Sequence, residues 1–207
     1  MCFTLVFPGA SLMIEAAVSE QSQEMITMIT KAIMFATLAH EKQKRKGTNI
    51  PYILHPIEAA IIVSQIKYDS DLICSALLHD VAEDSHISYE SISKMFNKRI
   101  ADLVFFQSED KSKSWKERKQ HTITELSKLE DDDIKIVCLA DKLANMRATS
   151  RDFKALGDSL WERFNVSDKK EQGWYYKGLC DSLASLKKYQ PYHEFKKLVD
   201  EVFGAQY

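Results

Sequence analysis

The scarcity of helix-breaking residues constrains the fold of this chain more than any other feature. Only six glycines and four prolines occur among 207 residues. Apolar side chains recur at helical spacing along almost the whole length, and no stretch shows the strict alternation of a half-buried strand. The length suits one sizeable domain with one core. The sequence therefore predicts a single all-α domain built as a helical bundle.

Helix boundaries can be predicted from the apolar spacing and from residues that favour helix starts. The first helix is expected at about 22–44, and Pro56 suits the first position of the next one. Ser70 and Ser88 are expected to cap the two helices that follow. The remaining segments with helical patterns are 71–84, 89–97, 98–108, 114–129, 132–149, 153–163, 168–188 and 192–203.

Charge and cysteine content exclude several classes of function. A net charge of −2 gives no general attraction to nucleic acid or to anionic membranes. No stretch is long enough to span a bilayer. The four cysteines lack C-x-x-C spacing, which favours buried free thiols in a reducing cytoplasm. We therefore expect a cytoplasmic protein without nucleic-acid or membrane partners, and the sequence carries no signature of its oligomeric state.

Residues 1–18, MCFTLVFPGASLMIEAAV, are apolar enough to suggest a signal peptide. They lack a basic start, because the first lysine is Lys31, and Pro8-Gly9 interrupts the apolar run early. We therefore expect residues 1–22 to form a loosely attached, poorly ordered extension, and residues 23–207 to form the folded domain.

Ionisable residues interrupt an apolar helix in the stretch SALLHDVAEDS, residues 75–85. The apolar stripe of this helix leads directly to Asp80, with His79 beside it, and Glu83 and Asp84 follow one turn later. Burying unpaired charges costs free energy, so a compensating interaction or exposure is required. The sequence leaves three explanations open: a metal ion, a set of ion pairs, or contact with solvent.

A second helix repeats this interruption, in the stretch DDDIKIVCLADKLANMR. Asp141 occupies the position where its buried face should continue with an apolar residue. His55 precedes another predicted helix start and could also point inward. Histidine and carboxylate ligands without paired cysteines favour a harder divalent metal such as Mn²⁺, while Mg²⁺, Fe²⁺ and Zn²⁺ stay possible. The expected metal ligands are His55, His79, Asp80 and Asp141.

The order of these residues resembles that of the HD superfamily of metal-dependent phosphohydrolases. The segments AHEKQKRKGTNIPYILHPIEAA, ALLHDVAED and CLADKLANMR are similar to the hydrolase domain of RelA/SpoT homologues, and most similar to the small stand-alone members of that branch. The likeness covers about residues 25–150. It implies an all-α, single HD-domain helical bundle that binds Mn²⁺ through His55, His79, Asp80 and Asp141.

The same resemblance implies an activity and roles for further residues. The implied reaction removes the 3′-pyrophosphate of guanosine tetraphosphate (ppGpp), giving GDP and pyrophosphate, so a guanine nucleotide is the expected substrate. Glu83 and Asp84 would be the catalytic carboxylates, suited to orienting a water or accepting its proton. The implied substrate-binding residues are Arg45, Lys46, Lys142 and Asn145, of which Asn145 would contact the sugar.

Two features leave the identity of the substrate open. The segment SRDFKALGDSLWERFNVSDKK departs from the family pattern, and a second basic cluster beside Trp115 suits a solvated face as well as a substrate site. An HD-domain phosphohydrolase for another nucleotide, such as NADPH or a dNTP, is therefore the main alternative. A non-catalytic nucleotide-binding module is a further one, although every residue that the chemistry needs is present. The second basic cluster comprises Lys111, Lys113, Lys116, Arg118 and Lys119.

The other histidines and aromatic residues are interpreted as structural. His40 lies in a matched segment, where we expect it to form hydrogen bonds without binding a metal. Core packing is the expected role of a late aromatic group. This group consists of Trp161, Trp174, Tyr175 and Tyr176.

Overall fold

A computed structural model describes residues 20–84, 87–107 and 109–204, with side chains from residue 22 onwards except at 83 and 84. Within these ranges the chain forms α-helices, two short 3₁₀ helices and no β-strand, which confirms the all-α prediction. Residues 1–19 of the predicted extension, which spans residues 1–22, lie outside the described residues. The expected poor order of the extension therefore stays a prediction.

Ten α-helices make up the described chain. None of them is both long enough and apolar enough to cross a lipid bilayer. The helices are α1 (Glu20–Ala39), α2 (Leu54–Ile66), α3 (Ser70–Leu78), α4 (Val81–Asp84), α5 (Tyr89–Met95), α6 (Lys98–Phe106), α7 (Trp115–Lys128), α8 (Asp132–Leu156), α9 (Lys169–Ser182) and α10 (Gln190–Phe203), and the 3₁₀ helices are Gly157–Arg163 and Ala184–Leu186.

Helices α3 and α8 form the centre of the bundle. Helix α3 is buried from Leu72 to Leu78 without interruption, and it packs against α1, α2, α6 and α8. Helix α8 packs against α2 and α10 on either side. Cys74 on α3 and Cys138 on α8 are buried free thiols, as expected. One interruption found in the sequence therefore lies directly after α3, and the other lies within α8.

Of the three predicted helix starts, the cap at Ser88 is confirmed, whereas Pro56 is the third residue of α2 and not its first. Ser88 caps α5 by accepting a hydrogen bond from the Ser91 backbone, as predicted. Ser70, in contrast, is the first residue of α3, and Asp69 is the cap, which makes that prediction wrong. Asp69 has extended backbone angles, so its carboxylate can accept from the backbone N–H groups of residues 71 and 72.

Several predicted helices differ from the observed ones at their ends. The first ends at Ala39, and the chain then turns through a hydrogen bond from the Gln43 N–H to the His40 carbonyl. The segments 132–149 and 153–163 form one continuous helix to Leu156, which ends because Gly157 adopts a φ of 58°. Helix α2 begins at Leu54, before Pro56, so His55 lies within its first turn and not in the preceding loop.

The predicted helix 71–84 is two helices. Helix α3 ends at Leu78, His79 and Asp80 form a turn, and the short helix α4 covers Val81–Asp84. On a regular helix adjacent side chains diverge by about 100°, yet here His79 Nε2 and Asp80 Oδ2 lie 3.0 Å apart.

Candidate metal centre

Three elements bring four predicted metal ligands to one point. His55 comes from the first turn of α2, His79 and Asp80 from the turn after α3, and Asp141 from the middle of α8. The two histidines and Asp141 are buried, and their ligand atoms all lie within 4.8 Å of one another. These segments are far apart in sequence, so packing of the three helices assembles the cluster.

Asp80 completes the cluster through its Oδ2 atom. This oxygen lies 3.0 Å from His79 Nε2 and 3.6 Å from His55 Nε2. Asp141 Oδ1 lies 3.1 Å from His55 Nε2 and 3.6 Å from His79 Nε2. Ligands bound to an ion at about 2.1 Å lie about 3.0 Å apart when they are neighbours in an octahedron. The spacing of His55, His79 and Asp141 therefore fits ligands of one divalent cation, and Asp80 Oδ2 lies beside both imidazoles.

The ring of His79 is oriented by its own helix. Nδ1 lies 2.8 Å from the carbonyl oxygen of Ala76, which can only accept, so Nδ1 carries the hydrogen. Nε2 is then left facing the carboxylates of Asp80 and Asp141, and none of the described residues satisfies it with a well-directed hydrogen bond. A hydrogen-bonded Nδ1–H is the arrangement that orients a metal-binding imidazole.

Both carboxylates of the cluster are held by hydrogen bonds from outside it. The Tyr52 hydroxyl donates to Asp80 Oδ2 at 2.6 Å, and the Asn145 side-chain amide donates to Asp141 Oδ1 at 2.6 Å. Lys142 lies 2.6 Å from the other oxygen of Asp141. These contacts leave the two acids little freedom to rotate away from the histidines.

The electrostatics of the cluster favour positive charge at its centre. Burial alone would raise the pKa of Asp141, but Lys142 and His79 hold it well below the usual value. Burial opposes protonation of His79, yet the attraction of Asp80 and Asp141 raises its pKa well above the usual value. Burial lowers the pKa of His55, which favours the neutral, metal-binding form of that imidazole. Two ionised acids beside two imidazoles form a donor set suited to a divalent cation.

A small cavity on one side of the cluster contains three of the predicted substrate-binding residues. This Arg45 cavity has a volume of about 160 Å³ and is lined by Arg45, Lys46 and Asn145, together with Tyr52 and Tyr176. Arg45 donates to the Asn145 side-chain oxygen at 3.0 Å. The structure thereby connects the Arg45 cavity to Asp141 through the amide of Asn145.

Residues of the unusual segment after α8 form another wall of the Arg45 cavity. Arg163 lines it and pairs with Asp152 at 3.0 Å, and Lys46 donates to Asn165 at 2.7 Å. Gly47 packs directly on Arg163, because a Cβ built on Gly47 would lie 2.5 Å from the Arg163 Cδ. This segment was noted for its departure from the family pattern, but nothing in the pattern pointed to Arg163 or Asn165.

A larger cavity lies between α6, α7, α8 and α9. This Tyr175 cavity has a volume of about 540 Å³. Of the predicted substrate-binding residues, Lys142 lines this cavity, whereas Arg45, Lys46 and Asn145 line the Arg45 cavity. The lining of the Tyr175 cavity also includes Phe105, Gln107, Lys113, Arg118, Leu126, Cys138 and Tyr175.

The second basic cluster has several structural roles. Lys113 and Arg118 line the Tyr175 cavity, whereas Lys116 pairs with Glu171 and lies over the Trp174 ring. Lys119 pairs with Glu109 at 2.5 Å. Neither explanation offered by the sequence therefore applies to the whole cluster.

The residues of the late aromatic group pack in the core, and some of them also line a cavity. Trp161 is buried against Phe153 and Phe203, which confirms the packing expected for it. Tyr175 and Tyr176 are packed as well, but each also lines one of the two cavities. His40 is buried and shares a hydrogen bond of 2.6 Å with Gln43, in line with its expected role.

The predicted catalytic carboxylates lie at the end of α4. The side chains of Glu83 and Asp84 are outside the described residues, so their catalytic role stays a prediction. Tyr52 is the functional candidate that sequence reasoning missed. It lies in the matched segment and three residues before His55, but nothing in the spacing indicated a bond to Asp80.

Comparison with protein families gives a match over most of the chain. Residues 32–164 match the HD domain family. The chain is 32% identical over 130 residues to the bifunctional (p)ppGpp synthase/hydrolase SpoT of Escherichia coli (strain K12), which covers 60% of this chain and 18% of SpoT. It therefore spans less than a fifth of the length of that relative.

Shorter relatives are matched over more of their length. The guanosine-3′,5′-bis(diphosphate) 3′-pyrophosphohydrolase MESH1 of Drosophila melanogaster is 35% identical over 120 residues, which is 56% of this chain and 66% of MESH1. A metazoan SpoT orthologue described as hydrolysing ppGpp superposes with a TM-score of 0.68 and 27% identity, over 85% of this chain and 93% of that one. The crystal structure of lmo0812 from Listeria monocytogenes EGD-e gives a TM-score of 0.68 and 28% identity, over 73% and 99%.

Proposed function

This chain belongs to the HD domain family, and from that premise we propose that it is a Mn²⁺-dependent (p)ppGpp 3′-pyrophosphohydrolase. The observation that carries the proposal is the convergence of His55, His79 and Asp141 at the spacing of ligands to one ion, with Asp80 beside both histidines. Relatives named as ppGpp 3′-pyrophosphohydrolases share this part of the chain and support the choice of reaction.

The four ligands would hold the cation, and Mn²⁺ suits them because they combine imidazole nitrogens with carboxylate oxygens and include no thiolate. When bound, such a cation polarises a phosphoryl oxygen and makes a water more acidic. Tyr52 and Asn145 would keep Asp80 and Asp141 in their binding orientations.

The remaining residues would position the nucleotide and move a proton. Arg45 and Lys46 would bind the nucleoside part of the substrate in the Arg45 cavity, with Asn145 at the sugar. Water attacks the phosphorus attached to the 3′-oxygen, the bond between that oxygen and phosphorus breaks, and GDP and pyrophosphate are released. Glu83 or Asp84 would accept the proton of the attacking water, and the 3′-oxygen gains a proton as it leaves.

The direct test combines metal analysis with a hydrolysis assay. We expect the purified protein to bind one Mn²⁺ per chain and to release pyrophosphate from ppGpp in its presence. NADPH, dNTPs and cyclic nucleotides serve as competing substrates, and Mg²⁺, Fe²⁺ and Zn²⁺ as competing metals. Turnover of another nucleotide without turnover of ppGpp would contradict the proposed substrate but not the metal centre.

Two substitutions separate an enzyme from a module that only binds nucleotide. Asp80→Ala should lose both metal and turnover. Glu83→Ala should keep the metal and lose turnover, because the carboxylates at the end of α4 are assigned to the attacking water and not to the metal. Asp102→Asn, in an exposed carboxylate that contacts Tyr89 and Lys98, provides a control that should change neither. Full activity in both test variants would refute the assignment of the site.

A further inference from the structure

A short hairpin carries three residues of the candidate site. It comprises residues 43–52, in which an antiparallel bridge pairs Lys44 with Pro51 and the Arg45 N–H donates to the Ile50 carbonyl oxygen at 2.9 Å. These bonds fix the two arms of the hairpin relative to each other. The way in which the hairpin is held against the rest of the protein therefore decides where its three site residues lie. They are Arg45, Lys46 and Tyr52.

The metal centre holds this hairpin at two points. The Tyr52 hydroxyl donates to Asp80 at 2.6 Å, and the Arg45 guanidinium donates to the Asn145 side chain at 3.0 Å. Beyond these two bonds, the tip of the hairpin at Lys46 and its neighbour contacts a different part of the protein. The tip and the metal centre are therefore connected to separate supports.

The support of the tip is the segment 157–165, which follows α8 and belongs to the stretch that departs from the family pattern. Leu160 and Trp161 anchor this segment, since both are buried. The Trp161 ring packs against Phe153 of α8 and Phe203 of α10, with ring centroids 5.7 and 5.4 Å away. The segment is therefore fixed to two long helices and forms a firm support for the hairpin.

Two residues of this segment contact the tip of the hairpin. The Lys46 ammonium group donates to the Asn165 side-chain oxygen at 2.7 Å. The Arg163 side chain packs on Gly47, so closely that a Cβ built on Gly47 would lie 2.5 Å from the Arg163 Cδ. Arg163 is in turn paired with Asp152 of α8 at 3.0 Å. The position of Lys46 is therefore set from outside the hairpin.

Asn165 and Arg163 differ in their relation to the Arg45 cavity. Arg163 lines that cavity together with Lys46, whereas Asn165 is not part of its lining. A nucleotide in the cavity can therefore contact Arg163 directly, but Asn165 can act on it only through Lys46. An ammonium group has three N–H donors, so Lys46 keeps two for a ligand while it donates one to Asn165. Holding a flexible lysine in place before a ligand binds reduces the entropy that is lost on binding.

We propose that Asn165 is a positioning residue for the substrate: it holds the Lys46 ammonium group at the Arg45 cavity without contacting the nucleotide itself. This inference rests on the proposed function, which assigns the nucleoside part of the substrate to that cavity. It gives a role in substrate binding to the segment that departs from the family pattern.

Steady-state kinetics with Mn²⁺ and ppGpp test the role of Asn165. Asn165→Ala should raise the KM about 5-fold and leave kcat unchanged, because it removes one hydrogen bond that orients Lys46 in the bound substrate and the transition state alike. The Mn²⁺ affinity should stay at the wild-type value, since Tyr52 and Asn145 still hold the two carboxylates. In a Lys46→Ala background, Asn165→Ala should raise the KM no further, because the residue through which it acts is gone.

Asn49→Ala is the matched control. Asn49 also accepts a hydrogen bond from a lysine, Lys44, at 3.1 Å, but this pair lies within the hairpin and neither residue lines the Arg45 cavity. The control should therefore leave the KM unchanged. Asn49 and Asn165 are both exposed, so the urea midpoints of both variants should stay close to that of the wild type.

Two results would overturn the inference. An unchanged KM in Asn165→Ala would remove the positioning role, and an equal KM increase in the wild-type and Lys46→Ala backgrounds would show that Asn165 acts independently of Lys46. If the wild type does not hydrolyse ppGpp, the proposed function fails. The NMR signal of the Lys46 ammonium group, which a hydrogen bond protects from exchange with water, then still decides whether Asn165 holds it. That signal should be present in the wild-type protein without nucleotide and lost in Asn165→Ala.

Discussion

Helix α3 ends where its apolar stripe reaches His79 and Asp80, whereas helix α8 continues through Asp141 to Leu156. The sequence signal is the same in both places, an ionisable residue where an apolar one is expected. At the end of α3, the turn places two neighbouring residues, His79 and Asp80, in the cluster. Helix α8 places one ligand, Asp141, in the cluster, and Lys142 and Asn145 of the same helix hold its carboxylate.

The difference lies in what surrounds each carboxylate. Asp80 is 25% exposed and is held by a hydroxyl from a loop, that of Tyr52. Asp141 is 5% exposed and is held by Lys142 and Asn145 of its own helix. A turn can direct adjacent side chains to one point, while a continuous helix supplies supporting residues at i+1 and i+4. The two acids should therefore respond alike in metal binding and differently in stability.

The largest expected effect comes from removing either carboxylate charge. Asp80→Asn and Asp141→Asn should each reduce Mn²⁺ affinity and turnover by more than about 100-fold, because loss of an outer hydrogen bond alone costs 10- to 100-fold. Metal titration and ppGpp hydrolysis measure this loss.

Unfolding in urea then separates the two variants. Asp141→Asn should lower the free energy of unfolding by about 3 kcal/mol, because it leaves Lys142 without its partner. Asp80→Asn should lower it much less. Equal losses of stability would remove the distinction between the two helices.

Substitution of the supporting residues should give a smaller effect. Tyr52→Phe and Asn145→Ala should each lower Mn²⁺ affinity about 10-fold, since each removes one hydrogen bond to a metal-binding carboxylate. Only Asn145→Ala should also raise the KM for ppGpp, because Asn145 also accepts from Arg45 in the Arg45 cavity. A KM increase of equal size in Tyr52→Phe would argue that Tyr52 contacts substrate directly.

The helix caps provide a comparison that does not involve the metal. Asp69 caps α3 and also pairs with Arg99 at 3.1 Å, whereas Asp131 caps α8 by accepting from the Asp133 N–H. Asp131→Ala should cost about 1 kcal/mol of unfolding free energy, and Asp69→Ala about 2 kcal/mol because it loses the ion pair as well. Unfolding in urea at neutral pH measures both, and equal costs would mean that the Arg99 pair contributes nothing.

The smallest expected effect is the pH dependence of the Asp69 contribution. Burial would raise the pKa of Asp69, but hydrogen bonds from Arg99 and from the Leu72 backbone hold it below its usual value of 3.8. Because the pKa of Asp69 is lower in the folded state, its ionised carboxylate stabilises the protein above pH 3.8. This stabilisation is lost as the pH falls through the folded-state pKa. The penalty of Asp69→Ala should therefore shrink in that acid range, which urea unfolding at several pH values can detect.

The candidate site could be predicted in part because burial leaves a local trace. Asp80 and Asp141 interrupt apolar faces, and the matched segments around them identified His55, Arg45 and Asn145. Tyr52 leaves no such trace, because a tyrosine on a helical chain is unremarkable by itself. Its importance depends on a hydrogen bond to Asp80, a residue 28 positions away in the chain.

The sequence by itself determined the all-α class, most helix positions and the residue types of the metal centre, since these follow from local spacing and from the cost of burying charge. Only the tertiary structure decided that α3 ends before His79, that α8 runs unbroken to Leu156, and that Lys142 and Asn145 line two different cavities. These features arise where α2, α3, α7, α8 and α9 pack together, and the free energy of such packing is shared among residues that are distant in sequence.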